Sequence, residues 1–427
     1  MARAMKDSGV EWIGEIPEGW EISKNKYLLD KMYSGGTPTA SNESFYSENG
    51  TPFVSISDMS NTECVLGTKK KLSKEGIADK NLVILPKGTV LYSIYATIGA
   101  VSELGVDATI SQAMLALSLK SGYNKRFYKY NLQAMRDYIF FNANGNTQFN
   151  LNAEKVWNFF FVRPPAWEQS QIADFLDAEC ARIDAVVEQT RASIDEYKKL
   201  KQSVITEAVT KGIRPGRKMK DSGIEWVKEL PEDWAVIPSK YLFRNSDMRR
   251  LDNDEQMTAS QQYGIITQAQ YMELTGAKVV FANKGLEDWK HVEPYDFIIS
   301  LRSFQGGLEM SETTGCITWH YIVLKPCKPI YSYYFKWLFK SELYIKALQR
   351  TCNFIRDGQD LRYSNFVQVP LFEPSLEEQK EIANYLNEKC AEIDSLISKK
   401  EGLAAELESY KKSLIYEYVT GKKEVCQ

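Results

Sequence analysis

The side chains of this chain best placed to do chemistry lie in five short polar stretches, and their types favour hydrogen bonding over bond breaking. Ser34-Gly35-Gly36-Thr37-Pro38 offers free backbone N–H groups around Gly36 and a hydroxyl at Thr37. Ser55 and Ser57, with Asp58, end a strand-like run. Asn144 to Asn150 is an amide-rich loop that holds Asn146, Thr147 and Gln148. Arg302, Ser303 and Gln305 follow a second apolar run, and Asn353, Arg356, Gln359 and Arg362 belong to a fifth stretch. Asn or Gln can pair bidentately with adenine and Arg with guanine, each contact giving roughly 1–3 kcal/mol of discrimination between bases. Taken singly, each stretch also reads as an ordinary turn or helix cap.

Bond-breaking chemistry finds little support. No GxxxxGK[ST] phosphate loop is present, since the glycines of Gly212 to Lys218 have the wrong spacing, and no GxGxxG follows a strand. HExxH, GxSxG and EF-hand patterns are absent. Arg163-Pro164-Pro165-Ala166-Trp167 only superficially matches the Asn-Pro-Pro-aromatic motif of amino-methyltransferases. Glu21-Ile22-Ser23-Lys24 has the form of half a nuclease ExK element but lacks a partner aspartate. With two histidines, His291 and His320, a His-based metal or proton-relay site has little to draw on. No catalytic residue and no metal ligand is assigned.

The elements that hold the polar loops are written twice. Met5 to Leu28, MKDSGVEWIGEIPEGWEISKNKYL, recurs as Met219 to Leu242, MKDSGIEWVKELPEDWAVIPSKYL. Glu168-Gln169, Ile172-Ala173, Leu176, Cys180-Ala181 and Ile183-Asp184 recur as Glu378-Gln379, Ile382-Ala383, Leu386, Cys390-Ala391 and Ile393-Asp394. Two such copies form a tandem duplication, not a solenoid, and a duplicated chain can act as its own pseudo-symmetric dimer. The flanking motifs agree while the polar loops differ, as divergent readers on a shared frame would require.

Each copy runs from the short motif through a long mixed segment to a long helix. Strand-like runs at Pro52–Ile56, Thr89–Ile94 and Asp296–Leu301, with helical stretches over Lys125–Phe141 and Tyr331–Leu348, make each mixed segment a compact α+β globule. Prolines 164, 165, 370 and 374 close the globules, and Ser375 with Glu378 has capping-box spacing. From there apolar positions repeat every 3.5 residues. Leu176, Ile183, Val187 and Ile194 mark the seam of the first helix, and Leu386, Ile393, Ile397 and Leu407 that of the second. Lys201 and Lys411 share a seam position, where the pairing is expected to fray. About 42 residues per helix give roughly 63 Å. The fold expected is therefore α+β, with two globules and an antiparallel pair of long coiled-coil helices related by a pseudo-twofold. The divisions fall at residues 1–163, 164–213, 214–373 and 374–427.

Composition sets outer bounds. A hydrophobic fraction of 44% and a charged fraction of 26% are ordinary for a soluble globular chain. No apolar run approaches the ~20 residues of a membrane span, and the first dozen residues lack a signal-peptide core, so a cytoplasmic location is expected. Seven scattered cysteines without a CxxC pair fit reduced thiols. The net charge of −3 argues against a free DNA binder. Lys198–Lys201, Lys211–Lys220, Arg249-Arg250 and Lys422-Lys423 are nevertheless locally basic, and read either as solvated faces or as contacts to a polyanion.

On these residues the chain resembles the specificity subunit of type I restriction–modification systems. The resemblance covers essentially all of it, through the duplicated GVEWIGEIPEGW and GIEWVKELPEDW, Gly35-Gly36-Thr37-Pro38, Phe53 to Asp58, Leu85 to Thr89, the proline-led Glu-Gln-x-x-Ile-Ala helix starts, Ser300 to Glu309 and Arg356 to Arg362. It implies two target-recognition domains, each reading half of a split, asymmetric double-stranded DNA sequence, and two spacer helices that set the gap. It also implies docking of two modification (methyltransferase) subunits and of restriction/translocase subunits. S-adenosylmethionine, ATP and Mg would be carried by those partners, and no cofactor is implied in this chain. Half-sites near one helical turn apart, about 34 Å, suit two readers on one face of DNA. The alternative is a coiled-coil adaptor whose globules bind protein.

Overall fold

The structure, a computed structural model, describes residues 3–59, 62–139, 151–282, 284–300, 303–351 and 361–425. It divides into two compact units, residues 1–190 with 402–427, and residues 191–401. Compactness thus cuts across both long helices, so each unit holds one globule and half of each helix.

In the first unit a five-stranded sheet has the order Leu29–Ser34, Met114–Leu119, Val90–Ser93, Val101–Leu104 and Cys64–Val65. Side chains alternate between two cores, as a two-residue period demands. Val90, Tyr92, Leu115 and Leu117 face a core shared with Phe127, Tyr128 and the long helices. Leu91, Met114, Ala116 and Leu104 face a second core with Val54 and Ile110, from a three-stranded sheet of Thr109–Ile110, Tyr46–Val54 and Lys70–Leu72. Burial on both faces explains why these strands read as nearly unbroken apolar runs. The second unit repeats the design with a four-stranded sheet, Phe243–Ser246, Ile322–Pro326, Phe297–Ile299 and Glu309–Met310. Phe297, Ile299 and Leu324 face one core, and Ile298 and Val323 the other.

Three expected elements differ in extent. The first run is a strand over Tyr46–Val54, after which Ser55 caps a short helix, Ile56–Met59. Asp58 accepts the Ser55 backbone N–H at 2.8 Å, and this reach back to the cap turns the chain out of the sheet. The stretch Tyr331–Leu348 is two helices, Ser332–Lys340 and Glu342–Arg350. Ser341 ends one and caps the other, its Oγ accepting the Tyr344 N–H. Of Lys125–Phe141, the helix spans Lys125–Ala134 behind Asn124, whose side chain accepts from Arg126 and Phe127 N–H; Phe140 and Phe141 lie outside the described residues.

The long helices are Ala166–Lys211 and Leu376–Val419, 46 and 44 residues. In the first unit Leu176, Ile183 and Val187 are buried with Leu414 and Ile415, and Leu407 packs half-buried beside them. In the second unit Ile194 packs on Ile393 and Ile397, and Leu386 is fully buried in the main core. The pairing is antiparallel in each. Phe175 meets Tyr418 and Asp184 meets Lys411 in the first, while Lys201 meets Asp394 and Arg214 meets Glu381 in the second. The expected fraying at Lys201 and Lys411 does not occur. Both helices continue unbroken there, because each ammonium finds a carboxylate on the opposite helix while its stem lies along the seam. Among the described residues no helix is long and apolar enough to cross a membrane.

Candidate nucleic-acid interface

What the duplicated motifs do is visible at the start of each long helix. Trp20 donates its indole N–H to Glu168 at 2.9 Å, and Arg3 pairs with the same carboxylate while lying over the Trp20 ring. Trp234, Glu378 and Arg217 repeat the arrangement, with an indole bond of 3.0 Å. The hydrogen bonds to Glu168 and Glu378 hold the Arg3 and Arg217 guanidinia above their ordinary pKa. Ser375 accepts the Glu378 N–H, but the Glu378 side chain turns to Trp234 and Arg217, so the expected capping box is only half made. The neighbouring glutamines tie each helix to its globule. Gln169 accepts the Asn124 N–H and donates to Pro164 O; Gln379 accepts the Tyr331 N–H and donates to Pro374 O. Gly212 and Gly421, both at φ +73°, end the long helices against this frame, where an added Cβ would strike Glu378 or Trp20. The frame is a clamp of buried charge and indole that fixes each globule to its helices.

The polar loops gather at one end of each globule's main sheet. In the first globule, Ser34 pairs with Leu115 and Ser93 with Met114, so Gly35–Pro38 and the Ser93–Gly99 turn emerge together. Ile110 pairs with Val54 and also accepts the Gly36 N–H, which brings Ser55 to the same end. The structure thus unites Gly36, Thr37, Ser55 and Ser57. It also corrects two details of their chemistry. The Gly35 and Gly36 amides are not free, because they donate to Met114 O and Ile110 O. A Cβ on Gly35 would collide with Ser111 O, so that glycine serves close backbone approach. The Ser55 hydroxyl bonds Asp58 at 2.6 Å and Ser57 at 3.0 Å, leaving Ser57 the exposed member. In the turn, Ala96 adopts φ +56°, a strained conformation that holds Tyr95 outward, half exposed.

In the second globule Ile299 pairs with Ile322 and Ser246 with Val323, which places the loops after Ser246, after Ile299 and before Ile322 at one sheet end. Ser303 is buried and accepts the Ser300 N–H at 2.8 Å, so it shapes the loop, while Gln305 is exposed. Arg362 is exposed too, with its N–H bonded to Asn365. Asn146, Thr147, Gln148, Arg302, Asn353, Arg356 and Gln359 lie outside the described residues.

Two features escaped the sequence reading. Lys69, Lys70 and Lys71 line a cavity of about 480 Å³ with Tyr46, and Lys70 stands over the Tyr46 ring at 5.5 Å. The Lys69 N–H bonds Asp58, so this basic edge continues the Ser55–Asp58 loop; three successive lysines were the available signal. In the second globule Trp319 and His320 stack in the open at 3.5 Å, on the loop before Ile322, and offer an aromatic face. Behind these loops burial raises the carboxyl pKa of Asp296 and Glu309, whose partners are Lys325 and Lys340. Among the described residues no group of His, Cys, Asp and Glu could hold a metal ion.

Such an arrangement can hydrogen-bond, stack and neutralise phosphate. Residues 17–195 match the type I restriction modification DNA specificity domain. A putative type I restriction enzyme specificity subunit, MjaX of Methanocaldococcus jannaschii, is 26% identical over 429 residues, covering 96% of this chain and 95% of that one. The HindI specificity subunit of Haemophilus influenzae is 29% identical over 152 residues, 35% of this chain and 33% of its own. A chain from a structure describing assembly and conformational transition of the type I R-M system shares the fold. Its TM-score is 0.67 at 14% identity, with 96% of this chain and 99% of that one covered. Over residues 17–195 the chain thus matches a DNA specificity domain, and over nearly its whole length it is similar to a type I restriction enzyme specificity subunit.

Proposed function

We propose that the chain reads a bipartite, asymmetric double-stranded DNA target, one globule to each half. The long helices set the half-site gap and dock two modification subunits, which bring S-adenosylmethionine and methylate adenine. Restriction subunits add ATP- and Mg-dependent translocation and cleavage, and the assembly works in the cytoplasm. One observation carries this reading: the same clamp, Trp20–Glu168–Arg3 and Trp234–Glu378–Arg217, supports two sheet ends whose loops share almost no residues. Identical mounts with different tips are what two unlike half-sites require. Gly36, Thr37, Ser57 and the lysine edge are assigned to the first half, and Gln305, Arg362 and Trp319 to the second. The DNA phosphate contacts that a chain of net charge −3 does not supply fall to the partner subunits.

The test is methyladenine mapping in cells that express the chain with its modification subunits. A split motif is expected. Inserting four residues, about one helical turn, into the middle of Ala166–Lys211 should lengthen the spacer and leave both half-sites unchanged. An altered half-site with an unaltered spacer would refute the ruler, and failure to obtain any split motif would refute the reading.

A further inference from the structure

The two copies are not equivalent everywhere, and the difference leaves a groove in the second unit. Its walls are the last turns of the first long helix, the Glu225–Glu229 turn and the start of the helix Glu342–Arg350, and its volume is about 1110 Å³. That exceeds the roughly 300–1,000 Å³ typical of a small-molecule pocket. Gln202 Oε1 and the Trp226 indole N–H both line it, and both are buried without a hydrogen-bond partner among the described residues. Val227, Leu343 and the Trp226 ring supply apolar surface.

In the first unit different side chains hold the corresponding positions, although the indole N–H of Trp12, the counterpart of Trp226, is likewise buried without a partner among the described residues. Tyr416, which stands where Thr206 stands in the other copy, donates to Ile13 O at 3.3 Å. Lys422 donates to the same carbonyl at 2.6 Å and covers the Tyr416 ring. Lys412, the counterpart of Gln202, pairs with Asp137, and Tyr138 bonds Glu11. The larger Tyr416 and the bonded Lys412 and Lys422 thus bridge these elements in one copy, where the other has Thr206, Gln202 and Gly212.

Charge narrows the occupant. Lys198, Lys199, Lys211 and Lys228 line the open groove without an ion pair among the described residues, against Glu207 and Glu229, while Glu225 and Glu342, which also line it, are paired with Arg350 and Lys346. In the closed copy the counterparts of Lys198, Lys199 and Lys228 are Glu408, Ser409 and Gly14. Lys198 and Lys199 are therefore peculiar to the copy with the open groove. A phosphate backbone offers only acceptors and would leave Gln202 Oε1 unmet. A peptide offers both a donor and an acceptor, and acidic side chains would answer the lysines.

We propose that this groove seats an acidic peptide segment of a partner protein, once per chain. It is independent of how the globules read DNA.

The experiment uses the full chain and fluorescence anisotropy with three labelled probes: a 16-residue Glu/Leu peptide, its Lys/Leu counterpart and a 20-bp DNA duplex. The acidic peptide should bind at least tenfold more tightly than the basic one. Gln202→Lys with Thr206→Tyr, the residues of the closed copy, should weaken it at least tenfold. Lys198→Glu with Lys199→Glu, on an exposed helix face, should weaken it similarly while the circular dichroism spectrum is retained. Equal affinity for both peptides, undiminished binding by either double variant, or displacement of the acidic peptide by the duplex would overturn the proposal.

Discussion

Lys201 places its ammonium 2.6 Å from the carboxylate of Asp394 on the opposite long helix, and the other copy repeats this between Lys411 and Asp184 at 2.5 Å. Each lysine holds a heptad seam position and is about three-quarters buried, while each aspartate is half exposed. A polar residue in a seam lowers stability but fixes register, since slipping the helices would leave the ammonium against apolar side chains. The exposed ends of these pairs contribute little, about 0–1 kcal/mol. Replacing both lysines by methionine should therefore raise the thermal midpoint by a few degrees and broaden the pairing states seen by disulfide trapping across the seam. A clear fall in the midpoint would instead make the ion pairs a source of stability.

Glu378 is a different case, because it is 1% exposed and serves two donors, Trp234 and Arg217. Glu378→Ala strands a buried indole N–H, at a cost of about 1–3 kcal/mol, and leaves the mostly buried Arg217 guanidinium only the exposed Asp233 as partner. Glu378→Gln keeps the indole bond and should cost less. Amide hydrogen exchange would show the effect as faster exchange in the hairpin of strands Met219–Ile224 and Val227–Pro231, larger for Ala than for Gln. Equal protection in both variants would mean that the charge does not hold the motif in place.

The sequence showed the parts whose spacing is local. The duplication, the heptads and the antiparallel seam are periodic, and the structure has them nearly where they were expected. Glu168 and Gln169 were legible only as a helix start, because their partners Trp20 and Asn124 are distant in the chain and long-range hydrogen bonds leave no period. Gly35 and Gly36 misled for a related reason. A glycine pair looks the same whether it admits a ligand or a neighbouring strand, and only the position of Ser111 decides between them. The break at Ser341 had no Pro or Gly to announce it. The lysine run 69–71 was plain to see, but nothing in the sequence joins it to the Ser55–Asp58 loop.

That run gives the sharpest test of how DNA is held. Lys70 and Lys71 lie on the strand paired with Thr51–Phe53, Lys69 stands just before it beside the Ser55–Asp58 loop, and Lys70 is braced over Tyr46. Cations on an edge beside a reading loop suit phosphates, and phosphate contacts position a protein without reading sequence. Changing all three to glutamine in the assembled complex should weaken binding to every target alike. It should also reduce the slope of log affinity against log salt by roughly 3, near one unit for each phosphate that is no longer neutralised. Ser57→Ala, on the adjoining loop, should leave that slope unchanged and relax base preference in one half-site only. A loss of base preference on removing the lysines, with the salt slope intact, would show that this edge reads bases and that the assignment of roles here is reversed.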